Sequence, residues 1–197
     1  SRRGYQPKVS RMGYSYGDVV ELISASGMGL TATAVLPGFA VILQEEPAWL
    51  DSAQFNHFYG DKARRAYAAM LKQFGVGAAP IAQANARLLR ALTARDALLV
   101  TGTDSPFVPY GAGLHAELRL FARAGIENAD ILRHATLKSA QAAGVAAELG
   151  TIAPGKLADL VIIDGDPLAN IGDLDNVVAT IKNGRHFTLE QLLNPKR

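Results

Sequence analysis

There is no cysteine among the 197 residues of the chain, which excludes disulfides, thiolate metal sites and cysteine nucleophiles. No apolar run reaches the roughly 18–20 residues that span a bilayer, so nothing calls for a membrane partner. Neither charge sign dominates. Twenty Lys and Arg against 18 Asp and Glu leave a formal net charge of +2, which is not the footprint of a nucleic-acid surface. The four histidines, His57, His115, His134 and His186, form no H-x-H, H-x-x-H or H-E-x-x-H pair, so no local zinc motif exists. A G-x-S-x-G elbow and a Walker loop are also missing. The opening Ser1-Arg2-Arg3 shows no initiator Met, no apolar signal core and no targeting pattern, and it reads as the middle of a longer sequence. The compartment stays unassigned.

What is present is a chain that can bury a core, with 49% hydrophobic and 19% charged residues. Arg2, Arg3, Lys8 and Arg11 precede the first acid, Asp18, and read as a solvated loop. Ser15 three residues before Asp18, with Val19, Leu22 and Ile23 at helical spacing, predicts a capped helix stopped by Gly27 and Gly29. Leu30–Leu36 predicts a strand ended by Pro37-Gly38. Residues 39–60 read as an irregular aromatic stretch, followed by a helix over 61–74. A further helix opens near Pro80, with Ile81, Ala84, Leu88 and Leu92 as its apolar stripe.

The run Ala97–Thr101 is nearly all apolar, as expected of a strand buried on both faces of a parallel sheet. Leu114, Leu118, Phe121 and Ala122 mark the next helix, closed by Gly125. Short helices follow over 129–134 and 137–148, the second capped by Thr136. From Gly150 the character changes. Strands are expected over 157–164 and 177–182, with a hairpin at Asn183-Gly184. The alternation of helix and strand predicts an α/β fold with parallel βα units.

Asp104 follows the buried strand directly, in Gly102-Thr103-Asp104-Ser105-Pro106. Ligands of parallel α/β folds bind at the C-terminal ends of strands, so a carboxylate there suits a metal ligand or general base. It equally suits a cap on the Ser105–Pro106 turn. His115 lies one turn into the following helix, on the same rim, where a structural role competes with a functional one. His57 can gate a pocket or simply pack, and His134 and His186 read as structural. Gly111-Ala-Gly113-Leu-His-Ala116 matches a dinucleotide fingerprint, but it lies too far beyond the strand for its backbone to meet a pyrophosphate. Asp164, Asp166, Asp173 and Asp175 lack calcium-loop spacing and read as turn formers.

Gly102-Thr-Asp104-Ser105, Leu114-His-Ala-Glu-Leu118 and Ala124-Gly125 together resemble the last barrel segment of the amidohydrolase superfamily, closest to its imidazolonepropionase-like and Xaa-Pro dipeptidase-like branches. His134-Ala-Thr136, Gly150-Thr-Ile152, Gly155-Lys-Leu-Ala-Asp-Leu-Val161 and Asp164-Gly-Asp-Pro-Leu168 resemble the return of such chains into a small β-sandwich. The likeness is strong over 97–187 and looser over 15–36.

The resemblance implies the C-terminal part of a (β/α)8 barrel over residues 1–150, and the C-terminal strands of a composite β-sandwich over 151–197. It further implies one or two divalent metals, usually zinc, activating water against an amide, cyclic amide or dipeptide C–N bond. Asp104 would then be metal ligand and proton shuttle, with His115 and Ser105 facing a small-molecule or dipeptide-like substrate. The family's remaining ligands have no counterpart in this sequence, so the missing N-terminal half of the barrel is an expected partner. A homo-oligomer is compatible with all of this. A non-catalytic or assembly role for the segment is the alternative.

Overall fold

In the computed structural model, residues 17–51, 53–74 and 78–194 are described. The chain divides into two compact units, one up to Ile126 and one from Glu127. Ser15 and the basic residues Arg2, Arg3, Lys8 and Arg11 lie outside the described residues.

The first unit begins with helix α1 (Gly17–Ser26), which ends where Gly27 takes a left-handed φ of +68°. Strand β1 is only Leu30–Thr31, not the expected 30–36. Helix α2 (Val35–Glu45) starts at once, and Pro37-Gly38 sits inside its first turn rather than ending a strand. The reason is physical. The first N–H groups of a helix have no partner within it, so a proline there costs nothing. Gly38 is needed because a Cβ at that position would stand 2.4 Å from Leu120 Cδ1.

The stretch expected to be irregular is thus largely helical. A 3₁₀ turn (Pro47–Asp51) leads into helix α3 (Ala53–Phe74), which breaks at Gly60. Helix α4 (Ala78–Thr93) follows; Leu89 and Leu92 are its buried residues, while Ile81 of the expected stripe is exposed.

Strand β2 (Leu99–Val100) is buried throughout and pairs in parallel with β1, as expected: Leu30 faces Leu99 and Thr31 faces Val100. The pairing is extended by Leu30 N–H to the Leu98 carbonyl at 2.9 Å and Ala32 N–H to the Val100 carbonyl at 3.0 Å. Helix α5 (Ala112–Arg123) packs on α2. Val35, Phe39, Ile42 and Leu43 on α2, with Leu120 and Phe121 on α5, are buried. Each such side chain contributes about 1.5–3 kcal/mol by leaving water. Leu114, one of the residues that marked this helix in the sequence, is exposed.

The second unit opens with one nearly continuous helical run. Helix α6 (Asn128–Arg133), a π-helical turn (His134–Lys138) and helix α7 (Ser139–Ala142) follow one another without the expected break at Thr136. The Thr136 hydroxyl bonds back to the Leu132 carbonyl at 2.6 Å inside this run instead of capping a new helix. The run ends before Gly144, at φ +74°, and not at residue 148.

Strands β3 (Leu160–Ile163), β4 (Val177–Lys182) and β5 (Arg185–Thr188) form an antiparallel sheet in that order. Asn183 and Gly184, both at positive φ, make the expected hairpin. Helix α8 (Leu189–Leu193) closes the described chain with a Thr188–Gln191 capping box. Among the described residues no helix is long and apolar enough to cross a membrane.

Candidate functional site

The loop from β2 to α5 carries the sequence candidates. Asp104 lies in the loop that follows β2, four residues beyond Val100, with a left-handed φ of +53°. Its carbonyl accepts the Phe107 N–H at 3.0 Å, which closes the turn. The Ser105 hydroxyl lies 3.2 Å from the Thr103 hydroxyl and donates to the Val108 carbonyl at 3.0 Å. The turn is therefore held by Asp104's backbone and Ser105's side chain. The Asp104 carboxylate is exposed and makes no hydrogen bond or ion pair among the described residues.

Two glycines let this loop lie close against its neighbours. A Cβ at Gly102 would stand 2.3 Å from Thr31 Cγ2 and 2.8 Å from Thr33 Oγ1, so the two strand ends touch through it. A Cβ at Gly113 would stand 2.9 Å from Val108 Cγ1, which explains the second glycine of the apparent dinucleotide fingerprint as packing. The first, Gly111, turns the chain into α5 at φ +70°. His115 is half-buried in the first turn of α5, its N–H bonded to the Gly111 carbonyl at 3.3 Å. From α3, the Tyr59 hydroxyl donates to the Tyr110 carbonyl, so the aromatic stretch reaches the loop that bears Asp104.

One buried carboxylate near this loop escaped the sequence reading. Glu117 of α5 is fully buried. Its two carboxylate oxygens accept the N–H groups of Ala34 at 3.1 Å and Val35 at 2.6 Å, at the start of α2. Burial pushes this carboxyl up to about 7, against the opposing pull of those two amides and, behind them, of the Gly102 and Thr33 backbone. A signal was available. Gly113, Ala116, Glu117, Leu120, Phe121 and Ala124 fall at helical spacing, and a carboxylate in such a stripe needs partners.

The remaining candidates lie elsewhere. His57 is exposed on α3, His134 is buried in the π-helical turn, and His186 is exposed on β5. The aspartates after β3 are engaged in turns. The Asp166 carboxylate accepts the Leu168 N–H at 3.0 Å, and that of Asp173 accepts the Asp166 N–H at 2.9 Å and the Asn170 amide at 2.8 Å. Among the described residues no three His, Asp or Glu side chains converge on a point that a metal could occupy. The donor set of this chain alone therefore does not fit a zinc ion, which takes three or four protein ligands.

A parallel strand pair with its helices and a separate small antiparallel sheet define the class: a mixed α/β chain. The model of the amidohydrolase family matches residues 5–186, and the chain belongs to that family. No curated protein sequence matches it.

Among solved structures, it is similar to a Xaa-Pro dipeptidase with methionine bound in its active site (21% identity, TM-score 0.62, 89% of this chain and 38% of that one). It is also similar to a prolidase complexed with N-methylphosphonate-L-proline (20% identity, TM-score 0.57, 89% and 38%). A third similar structure is a molinate hydrolase (21% identity, TM-score 0.54, 91% and 37%). At these identities the likeness is one of fold, and it makes the strand pair and its helices part of a (β/α)8 barrel. The chain spans about two fifths of the length of each of these structures.

Proposed function

We propose that this chain supplies the closing segment of a metal-dependent amidohydrolase that hydrolyses a C–N bond in an amide, cyclic amide or dipeptide-like substrate. The observation that carries the reading is Asp104. In a chain of this family, it stands in the loop that follows a buried parallel strand, with its carboxylate exposed and engaged by no neighbour among the described residues. A bound zinc ion, its other ligands lying outside this chain, would supply Lewis acidity and an acidified water. Asp104 would be this chain's ligand to such an ion, and its carboxylate would serve as the base for a water proton and as the acid toward the departing amine nitrogen. Ser105 and His115, on the same loop and the helix that follows it, border the substrate.

Hydrolysis of a panel of dipeptides and N-acyl amino acids, with zinc supplied and the remaining barrel strands present, tests the reading through Asp104→Asn. Asn keeps the shape but cannot accept a proton near neutral pH.

That no three-ligand cluster forms among the described residues favours a second reading, in which the segment acts only in assembly. The two part on metal titration of the complete barrel. Loss of zinc affinity in Asp104→Asn supports the catalytic reading, and unchanged affinity supports the assembly one.

A further inference from the structure

The loop that carries Asp104 buries its middle and exposes its flanks. Val108 and Pro109 are fully buried, and the Ser105 hydroxyl donates to the Val108 carbonyl at 3.0 Å. Gly113 makes room for Val108, since a Cβ there would stand 2.9 Å from Val108 Cγ1. With that pair held inward, the residues on either side are turned out: Phe107 is 65% and Tyr110 66% exposed. Leu114, in the first turn of α5, is exposed as well. Large apolar side chains exposed singly are ordinary, but a group of them on one loop marks a surface that binds something.

Three observations tie these rings to the candidate site. The Phe107 N–H donates to the Asp104 carbonyl at 3.0 Å, and such a turn keeps its two end Cα atoms within about 7 Å. From α3, the Tyr59 hydroxyl donates to the Tyr110 carbonyl, while the Tyr59 ring meets Tyr67 edge to face at 6.2 Å. The Tyr110 backbone is thus braced from outside its own loop while its side chain stays exposed, which is the preorganisation a binding surface needs. Finally, residues 105–116 include no Lys, Arg, Asp or Glu. The loop has no fixed charge with which to hold a charged substrate group, so its means of recognition are apolar and aromatic.

We propose that Phe107 and Tyr110 form an aromatic wall beside Asp104 that selects substrates whose departing amine carries a bulky apolar group, aromatic or branched. The wall rests on the reading of Asp104 as the acid toward the departing nitrogen. That role puts the amine part of the substrate, rather than the acyl part, against the turn from Asp104 to Phe107. Neither ring touches a reacting atom.

The test uses the complete barrel and begins with binding, which needs no turnover. L-phenylalaninamide and L-leucinamide stand for the amine part. Calorimetry is expected to show both binding more tightly than glycinamide by at least about ten-fold, the low end of what an apolar group is worth in a pocket. Phe107→Ala and Tyr110→Ala should each remove most of that ratio, and the exposure of both side chains makes loss of folding no obstacle. Equal affinity for the three amides in the unmutated enzyme overturns the wall, and so does a ratio that both alanine variants leave intact.

Turnover assigns the side of the scissile bond. With zinc supplied, kcat/KM for Gly-Phe is expected to exceed that for Gly-Gly by at least about ten-fold, and the ratio should fall in both variants. A preference for Phe-Gly in place of Gly-Phe would put the rings on the acyl side and overturn the proposal. Asp104→Asn, run alongside, tests the underlying reading separately. Retained turnover in that variant would remove Asp104 from the chemistry, while the affinity ratio of the amides would still report on the wall.

Discussion

The two compact units use carboxylates in opposite ways. Up to Ile126, strands β1 and β2 are parallel, β2 is fully buried, and the one buried carboxylate among the described residues, Glu117, reaches across elements to satisfy backbone amides. From Glu127 onward the sheet is antiparallel and largely wet. Val161, Ile162 and Val178 are exposed, and of its residues only Ala179 is buried. There Asp166, Asp173 and Asp159 each bind groups in nearby turns, with water as an alternative partner. Where water is excluded, a helix start without its own cap must import one. Where water is present, local turn chemistry suffices. Asp104 fits neither pattern: it follows the dry strand, and it is exposed without a bonded neighbour among the described residues.

The sharpest way to break that contrast is Asp104→Asn. If the carboxylate is held for chemistry, turnover in the complete barrel falls by about 10²–10⁴-fold, while the thermal midpoint barely moves because no native bond is lost. Retention of more than about a tenth of the activity, outside that range, would class Asp104 with the turn-forming aspartates of the second unit.

Glu117 offers the next largest effect, through pH. Its carboxyl is at 4.5 when unfolded and about 7 when folded, because burial outweighs its backbone partners. Between these values the folded chain holds a proton that the unfolded chain has released. This contribution to stability is thus fully present below about pH 4.5 and is lost as pH rises through 7. The gap corresponds to roughly 3 kcal/mol. Denaturant midpoints measured from pH 4 to pH 8 should decline over that window, and the slope should flatten in Glu117→Gln. A flat profile in the unmutated chain would mean that Glu117 is less dry than its surroundings indicate.

Gly102→Ala sharpens the comparison at the strand ends. Its Cβ would meet Thr31 Cγ2 at 2.3 Å and Thr33 Oγ1 at 2.8 Å, so these side chains must turn away or the chain ends must part. A loss of about 1–3 kcal/mol, typical of overpacking, is expected in denaturant unfolding. An alanine tolerated without loss would show that the contact between the strand ends relaxes freely.

The legibility of the sequence follows the same divide. The hairpin at Asn183-Gly184, strand β4 and the buried character of β2 were readable because each rests on local chemistry: a turn dipeptide, β-branched residues, an unbroken apolar run. The resemblance carried the family. The start of α2 was not readable, because Pro37-Gly38 signals a stop in isolation and is tolerated only in a first helical turn packed on Leu120. Glu117 was missed for a related reason. Its partners, Ala34 and Val35, are more than 80 residues away and are backbone atoms, which leave no mark in a motif.

The smallest expected effect belongs to Asp159, and it runs opposite to that of Glu117. The Asp159 carboxylate bonds the Lys182 ammonium and accepts the Asn183 N–H at 2.6 Å, pinning the β4–β5 hairpin. The hydrogen bond from Lys182, then that from Asn183, hold its pKa below the usual 3.8. A lowered carboxyl stabilises the fold above its unfolded value, and the contribution is lost as pH falls through the folded one. Acid should therefore loosen this hairpin while it protects the Glu117 site. Lys182 is largely exposed, so added salt should shrink the Asp159 effect and leave the buried Glu117 slope intact. Asp159→Asn keeps an oxygen for the Asn183 amide and gives up only the ion pair, so its thermal midpoint should fall less than that of Gly102→Ala. Following the Asn183 amide resonance down in pH, at low and high salt, checks both points. A salt-independent acid shift there would place Asp159 with the dry carboxylate of the first unit rather than the wet ones of the second.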